Sequence, residues 1–196
     1  MALQTSGTIS IQDIVDEFGG TAPHDLSEYY AGGTFVPSSN TGVPTSGTIS
    51  LSDFYGASAA TVVTVTEGSL TNASYGSYNY GYIATGKYWD DRQNQFYNIG
   101  GGTAGSRTPT TLNGATIQNI SRGDYKNTSF TEKFIVVLSG TRSQSFFTSV
   151  TPQGGTTLNT ASTSRFRQVS GSTVWVWTAD FTTWNGTGTR TATFVI

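Results

Sequence analysis

Hydrophobic periodicity changes once along this chain, near residue 60, and that change limits the folds open to it. Upstream, apolar residues recur at helical spacing in short bursts that glycine ends; downstream they alternate at the period of a strand. A chain of 196 residues with this break reads as a small N-terminal segment, 1–58, followed by a β-rich domain, 59–196. Charge divides at the same place. Residues 1–58 carry six acids (Asp13, Asp16, Glu17, Asp25, Glu28, Asp53) and no Lys or Arg, which leaves the rest of the chain at +4. That asymmetry suits two units and a basic docking partner.

Within the first segment the hexapeptide TSGTIS occurs twice, at Thr5–Ser10 and Thr45–Ser50. The first copy runs into IQDIVDEFGG. Ser10 and Asp13 have capping-box spacing, Ile11, Ile14, Val15 and Phe18 share one helical face, and Gly19–Gly20 end it. HDLSEYYAGG follows the same pattern, with Asp25 and Glu28 as caps, Leu26, Tyr29 and Tyr30 as the face and Gly32–Gly33 as the stop. The second TSGTIS runs into LSDFYGAS, where Ser50 and Asp53 cap, Leu51, Phe54 and Tyr55 make the face and Gly56 ends it. The spacing predicts three helices of about two turns each. Helices this short are marginal in water, and a unit this small without metal or disulfide sits near zero net stability alone. The face residues are therefore expected to dock, on the C-terminal domain or on another chain.

From residue 60 the signals are those of strands. TVVTVTEG, ATIQNISRG, EKFIVVLSG, SQSFFTSVTPQGG, LNTASTSRFRQVSG, STVWVWTAD and TRTATFVI follow one another at short intervals, set off by Gly, Pro or Asn. Thr, Ser and Gly dominate, and only 11% of the chain is charged. The pattern predicts a mainly β fold with about eight strands, a β-sandwich or jelly-roll-like domain. SYGSYNYGYIATGKYW places Tyr78, Tyr80 and Tyr82 at strand period, with Tyr88 and Trp89 beyond. In TVWVWT, Trp175 and Trp177 share one face and Val174 and Val176 the other. One set is core and the other covers an edge or meets a partner. These rings form the candidate aromatic contact surface.

No constellation for catalysis stands out. His24 is the single histidine, no GxSxG accompanies it, and with no Cys it cannot supply the usual ligand set of a zinc site. Asp90 and Asp91 are adjacent, so on a strand they point to opposite faces rather than across a scissile bond. They are expected in a cation-tied loop or a solvated turn. Gly100–Gly102 has no GK[ST] after it, and the scattered basic residues make no nucleic-acid stripe. No run of 18 apolar residues is present, and MALQTSGTIS has neither the basic nor the apolar region of an export signal. The expectation is a non-enzyme without cofactor or metal, binding no nucleic acid and inserted in no membrane.

The stretch LSEYYAGGTFVPSSNTGVPTSGTISLSDFYGAS, with its earlier partner SGTISIQDIVDEFGG, closely resembles a segment of virion structural proteins of tailed bacteriophages. There the short SG-x-ISL-x-DF-x-G element is repeated, N-terminal and followed by a variable β-domain. LNGATIQNI, FIVVLSGTRSQSFFTSV and GSTVWVWTA resemble phage structural β-domains more loosely. The resemblance implies a virion component, assembled in the host cytoplasm, most often of tail, baseplate or tail fibre. Its partners would be other virion proteins and further copies of itself in a homo-oligomer. Two other readings fit the same residues: a head protein for capsid decoration, and a module that binds a host surface glycan through the Tyr and Trp rings.

Overall fold

The computed structural model describes residues 2–72, 77–84, 87–90, 94–97, 102–124, 133–179 and 183–196. The chain divides into two compact units, Met1–Thr61 with Val195–Ile196, and Val62–Phe194. It is mainly β, with several antiparallel sheets.

In the first unit, α1 spans Ile11–Phe18. The Ser10 hydroxyl accepts from the Asp13 N–H at 3.2 Å, and the Asp13 carboxylate accepts from the Ser10 N–H at 2.8 Å. Gly19, with φ 77°, closes the helix by donating its N–H to the Val15 carbonyl at 2.7 Å. The other two expected helices are single 3-10 turns, Leu26–Tyr29 and Leu51–Phe54. Asp25 caps the first by accepting from the Ser27 N–H, and in the second Asp53 accepts from the Ser50 N–H, each at 2.7 Å. What shortens them is the next residue. Tyr30 and Tyr55 leave helical geometry, with ψ 138° and 123°, and carry the chain onward in extended form.

Part of the apolar faces packs within the unit itself. Ile14, Phe18, Tyr29 and Phe54 bury against one another, together with Ile9, Val36 and Val43. The Phe54 ring meets Phe18 at 6.3 Å and the edge of Tyr29 at 6.4 Å, while Phe35 lies 5.5 Å from Tyr29. The loop between the two 3-10 turns and the segment before α1 contribute apolar residues that belong to no helical face. Hydrogen bonds then fix the end of the unit. Asn40 donates to the Pro37 and Ser58 carbonyls and accepts from the Ser58 N–H at 2.7 Å, and Glu17 accepts from the Ala59 N–H at 2.9 Å.

The β-rich part holds β1 (Ala60–Thr66), β2 (Gly68–Asn72), β3 (Ser77–Ile83), β4 (Tyr88–Asp90), β5 (Gln95–Tyr97), β6 (Ser106–Thr108), β7 (Thr111–Leu112), β8 (Ala115–Asp124), β9 (Lys133–Ser139), β10 (Ser149–Pro152), β11 (Leu158–Asn159), β12 (Arg165–Val169), β13 (Ser172–Thr178) and β14 (Thr189–Val195). One sheet runs β11-β10-β14-β1-β6 and a second β12-β13-β9-β8-β3-β2, with β7 on β8; β4 and β5 form a hairpin. Strands β9 and β13 are buried on both faces, which explains why KFIVVLS and STVWVWT are continuous apolar runs. Ile135, Val137, Val174 and Val176 pack under Trp89 of the hairpin. On the opposite face Trp175 and Trp177 meet Phe147, at 5.1 and 6.3 Å, and Phe147 also meets Phe194 of β14 edge-on at 5.1 Å. Phe147 therefore touches both large sheets. Replacing it by Ala should cost about 3–5 kcal/mol, read as a lower urea midpoint with an unchanged slope.

Glu67 follows β1 and its side chain has no exposed surface. Burial raises its pKa above the ordinary value. The opposing pull comes from Arg190, 3.6 Å away, and from the backbone N–H groups of Asn185, Gly186 and Thr187. A raised folded-state pKa means that the folded chain holds this proton more tightly than the unfolded chain does. The associated stability is complete below the unfolded pKa and is lost as pH rises through the folded one. The stability of the wild type relative to E67Q, taken from urea midpoints, should be greater near pH 5 than at about pH 7.5.

Candidate docking site

Both copies of TSGTIS turn at their glycine. Gly7 has φ 99° and Gly47 φ 84°, a backbone region that residues with a Cβ rarely enter. Each glycine carbonyl accepts a hydrogen bond from a tyrosine hydroxyl. Tyr55 donates to Gly7, 48 residues away, and Tyr30 donates to Gly47, 17 residues away. A backbone bond accompanies each. The Gly56 N–H donates to the Gln4 carbonyl at 3.0 Å, and the Ala31 N–H to the Pro44 carbonyl at 2.9 Å.

These pairs are the same device used twice. In each, the residue after the tyrosine grips the carbonyl just before TSG, and the tyrosine hydroxyl grips the carbonyl of its glycine. LSEYYAG and LSDFYGA supply the two clasps; Tyr29 and Phe54, one position before the gripping tyrosine, are both fully buried. The local logic is that of a capped single turn. The cap starts the turn, the buried ring anchors it, and the extended tyrosine presents its N-terminal neighbour's ring inward and its own hydroxyl outward. The first clasp holds the second TSG and the second clasp holds the first. The Leu3 N–H adds a bond to the Ala57 carbonyl at 2.8 Å.

Of the ten candidate docking residues, Ile14, Phe18, Tyr29 and Phe54 belong to the unit's own core. Val15, Leu26, Tyr30 and Leu51 are half-buried. Ile11 and Tyr55 remain exposed, at 36% and 38%. The sequence reading placed Tyr30 and Tyr55 on apolar helical faces; the structure uses their hydroxyls instead. The signal was present in the shared LS-[DE]-[FY]-Y pattern, whose final tyrosine falls outside the buried face.

The aromatic contact surface does not hold together as a surface. Tyr82, Tyr88, Trp89, Trp175 and Trp177 are buried in the chain itself, and Tyr80 is half-buried. The side chain of Tyr78 lies outside the described residues. The two β13 indoles face inward with the N–H groups of Trp175 and Trp177 donating to the carbonyls of Gln144 and Asn159, at 3.0 and 2.8 Å. Buried tryptophans usually find such a partner, and these two bonds satisfy both indoles. Asp90 is likewise buried, within β4 opposite Gln95, rather than in a solvated turn; Asp91, Gly100 and Gly101 lie outside the described residues. His24 is half-buried, its Nδ1 3.2 Å from the Tyr29 hydroxyl, which donates to the Gly19 carbonyl. Among the described residues no group of three or more His, Asp or Glu side chains is placed to hold a metal ion. No helix among them is long and apolar enough to cross a membrane.

Compared with protein-family models, curated proteins and solved structures, the chain matches none.

Each clasp bond is open to direct test. Y30F and Y55F should each lose about 0.5–1.5 kcal/mol of stability, the net worth of one hydrogen bond. Because the two hydroxyls act on separate TSG turns, the double variant should lose close to the sum of the two, measured by urea unfolding. A loss confined to one tyrosine would contradict the equivalence of the two clasps.

Proposed function

We propose that this chain is a non-enzymatic structural component of a tailed-phage virion, placed in the tail at the baseplate or fibre base. The N-terminal unit docks on neighbouring virion subunits. The β-rich unit is a β-sandwich, with its two large sheets joined through Phe147, and it packs between copies in a homo-oligomer or is displayed outward. The observation that carries this reading is the TSG clasp. The residues that give the sequence its resemblance to virion proteins, TSGTIS and LSDFYGA, are the ones that meet in it. They form a ready-made recognition element rather than a pair of ordinary helix starts.

Exposed Ile11 and Tyr55, with the uncovered parts of Val15, Leu26 and Leu51 where they pack against the core, give that unit a surface for a neighbour. The glycan reading loses the rings it relied on, since most of them are core. Purified particles decide the matter by copy number and position. Quantitative mass spectrometry of virions is expected to find a few to a few tens of copies per particle, with antibody label at the tail. Hundreds of copies over the capsid would make it a head decoration protein, and absence from particles would remove the virion reading altogether.

A further inference from the structure

We propose that the second clasp, Leu51–Ala57, is a binding site for a T-S-G-T-I-S segment, and that a second copy of this chain supplies that segment in exchange for the chain's own residues 3–10. The inference deepens the assembly reading and rests on it for its biological setting only. Binding is measured on the isolated protein, so its failure and the failure of the virion placement are separate results.

The geometry has the character of a ligand in a site. Residues Gln4 to Thr8 are all exposed, and only Leu3 and Ile9 reach the core. Every hydrogen bond from the clasp to this strap goes to strap backbone: Tyr55 Oη to the Gly7 carbonyl, the Gly56 N–H to the Gln4 carbonyl, and the Leu3 N–H to Ala57. Backbone recognition does not ask which chain the segment comes from. It asks for a glycine able to take a positive φ, with an apolar residue four positions before it and another two after.

The chain carries that pattern twice, as Leu3–Ser10 and Val43–Ser50. It carries two clasps, and the first clasp already holds the second segment by the same two bonds. A segment from a second copy therefore presents to Leu51–Ala57 the same atoms that its own strap presents. Exchange breaks and remakes one set of bonds, so its position depends on concentration. The tethered strap competes at an effective concentration in the millimolar range. Copies held side by side in an assembly reach that range, which is the usual condition for segment swapping between identical protomers.

The test uses full-length variants. G7A weakens the chain's own strap at its turn and leaves the clasp intact. A fluorescein-labelled peptide of residues 2–10, ALQTSGTIS, is expected to bind G7A saturably, and about tenfold or more weakly to the G7A/Y55A chain. A scrambled peptide should not bind. L3D, which strips the strap of its apolar anchor, gives the same readout if G7A does not fold. Equimolar G7A and Y55A chains, each lacking a different half of the pair, should form a heterodimer by native mass spectrometry that neither forms alone. No saturable binding to either strap variant up to about 1 mM peptide overturns the site. Binding that Y55A leaves unchanged places it elsewhere. Peptide binding without a heterodimer removes the second copy as its source.

Discussion

The carbonyls of Gly7 and Gly47, in two turns with positive φ, each accept from a donor distant in sequence. In the N-terminal unit that donor is a tyrosine hydroxyl, twice over. By these bonds Tyr55 reaches Gly7 across α1, tying the segment before the helix to the one after it, and Tyr30 reaches Gly47 within the segment that follows. Once the tyrosines turn outward to make them, their neighbours Tyr29 and Phe54 are directed inward, where they meet edge to face. Packing and hydrogen bonding thus share one local geometry. The 3-10 turns stop at Tyr30 and Tyr55, whose extended backbone goes with the bonds to the glycine carbonyls.

The β-rich unit is organised differently, by strands that have no solvent side. β13 pairs with β12 and β9, and its valines and tryptophans are covered on opposite faces by the β4-β5 hairpin and by Phe147. Six consecutive buried residues leave the strand no polar face. Its two indole N–H groups are met instead by the carbonyls of Gln144, in a loop, and Asn159, at the end of β11. Glu67 is one of the charged residues buried there, with Asp90 and Arg122, and its carboxyl lies 3.6 Å from Arg190. It fixes the loop between β13 and β14 to the end of β1 through the Glu67 N–H and the Gly188 carbonyl as well, at 2.9 Å.

The proposed function rests on the first of these two arrangements. An interaction read from backbone carbonyls and one glycine conformation can be made by any segment of the right pattern. This chain holds two such segments and two such clasps, and each clasp closes on the other segment. The β-rich unit offers no comparable device among the described residues; its large rings are spent on its own interior.

The sequence by itself determined the elements whose causes are local. The Ser10–Asp13 cap, the face of α1, its glycine stop, the mainly β character after residue 60 and the repetition of TSGTIS all depend on residues a few positions apart. What only the tertiary structure decided was where pairs of distant segments meet. Periodicity marks Tyr30 and Tyr55 as apolar face residues because a helical wheel has no knowledge of a carbonyl 17 or 48 residues away. It marks TVWVWT as two-faced because alternation says that two sides exist, not whether one of them is solvent. Both failures have one cause. Local pattern reports which side chains share a direction, and burial and hydrogen bonding report what lies in that direction, which long-range contacts alone supply.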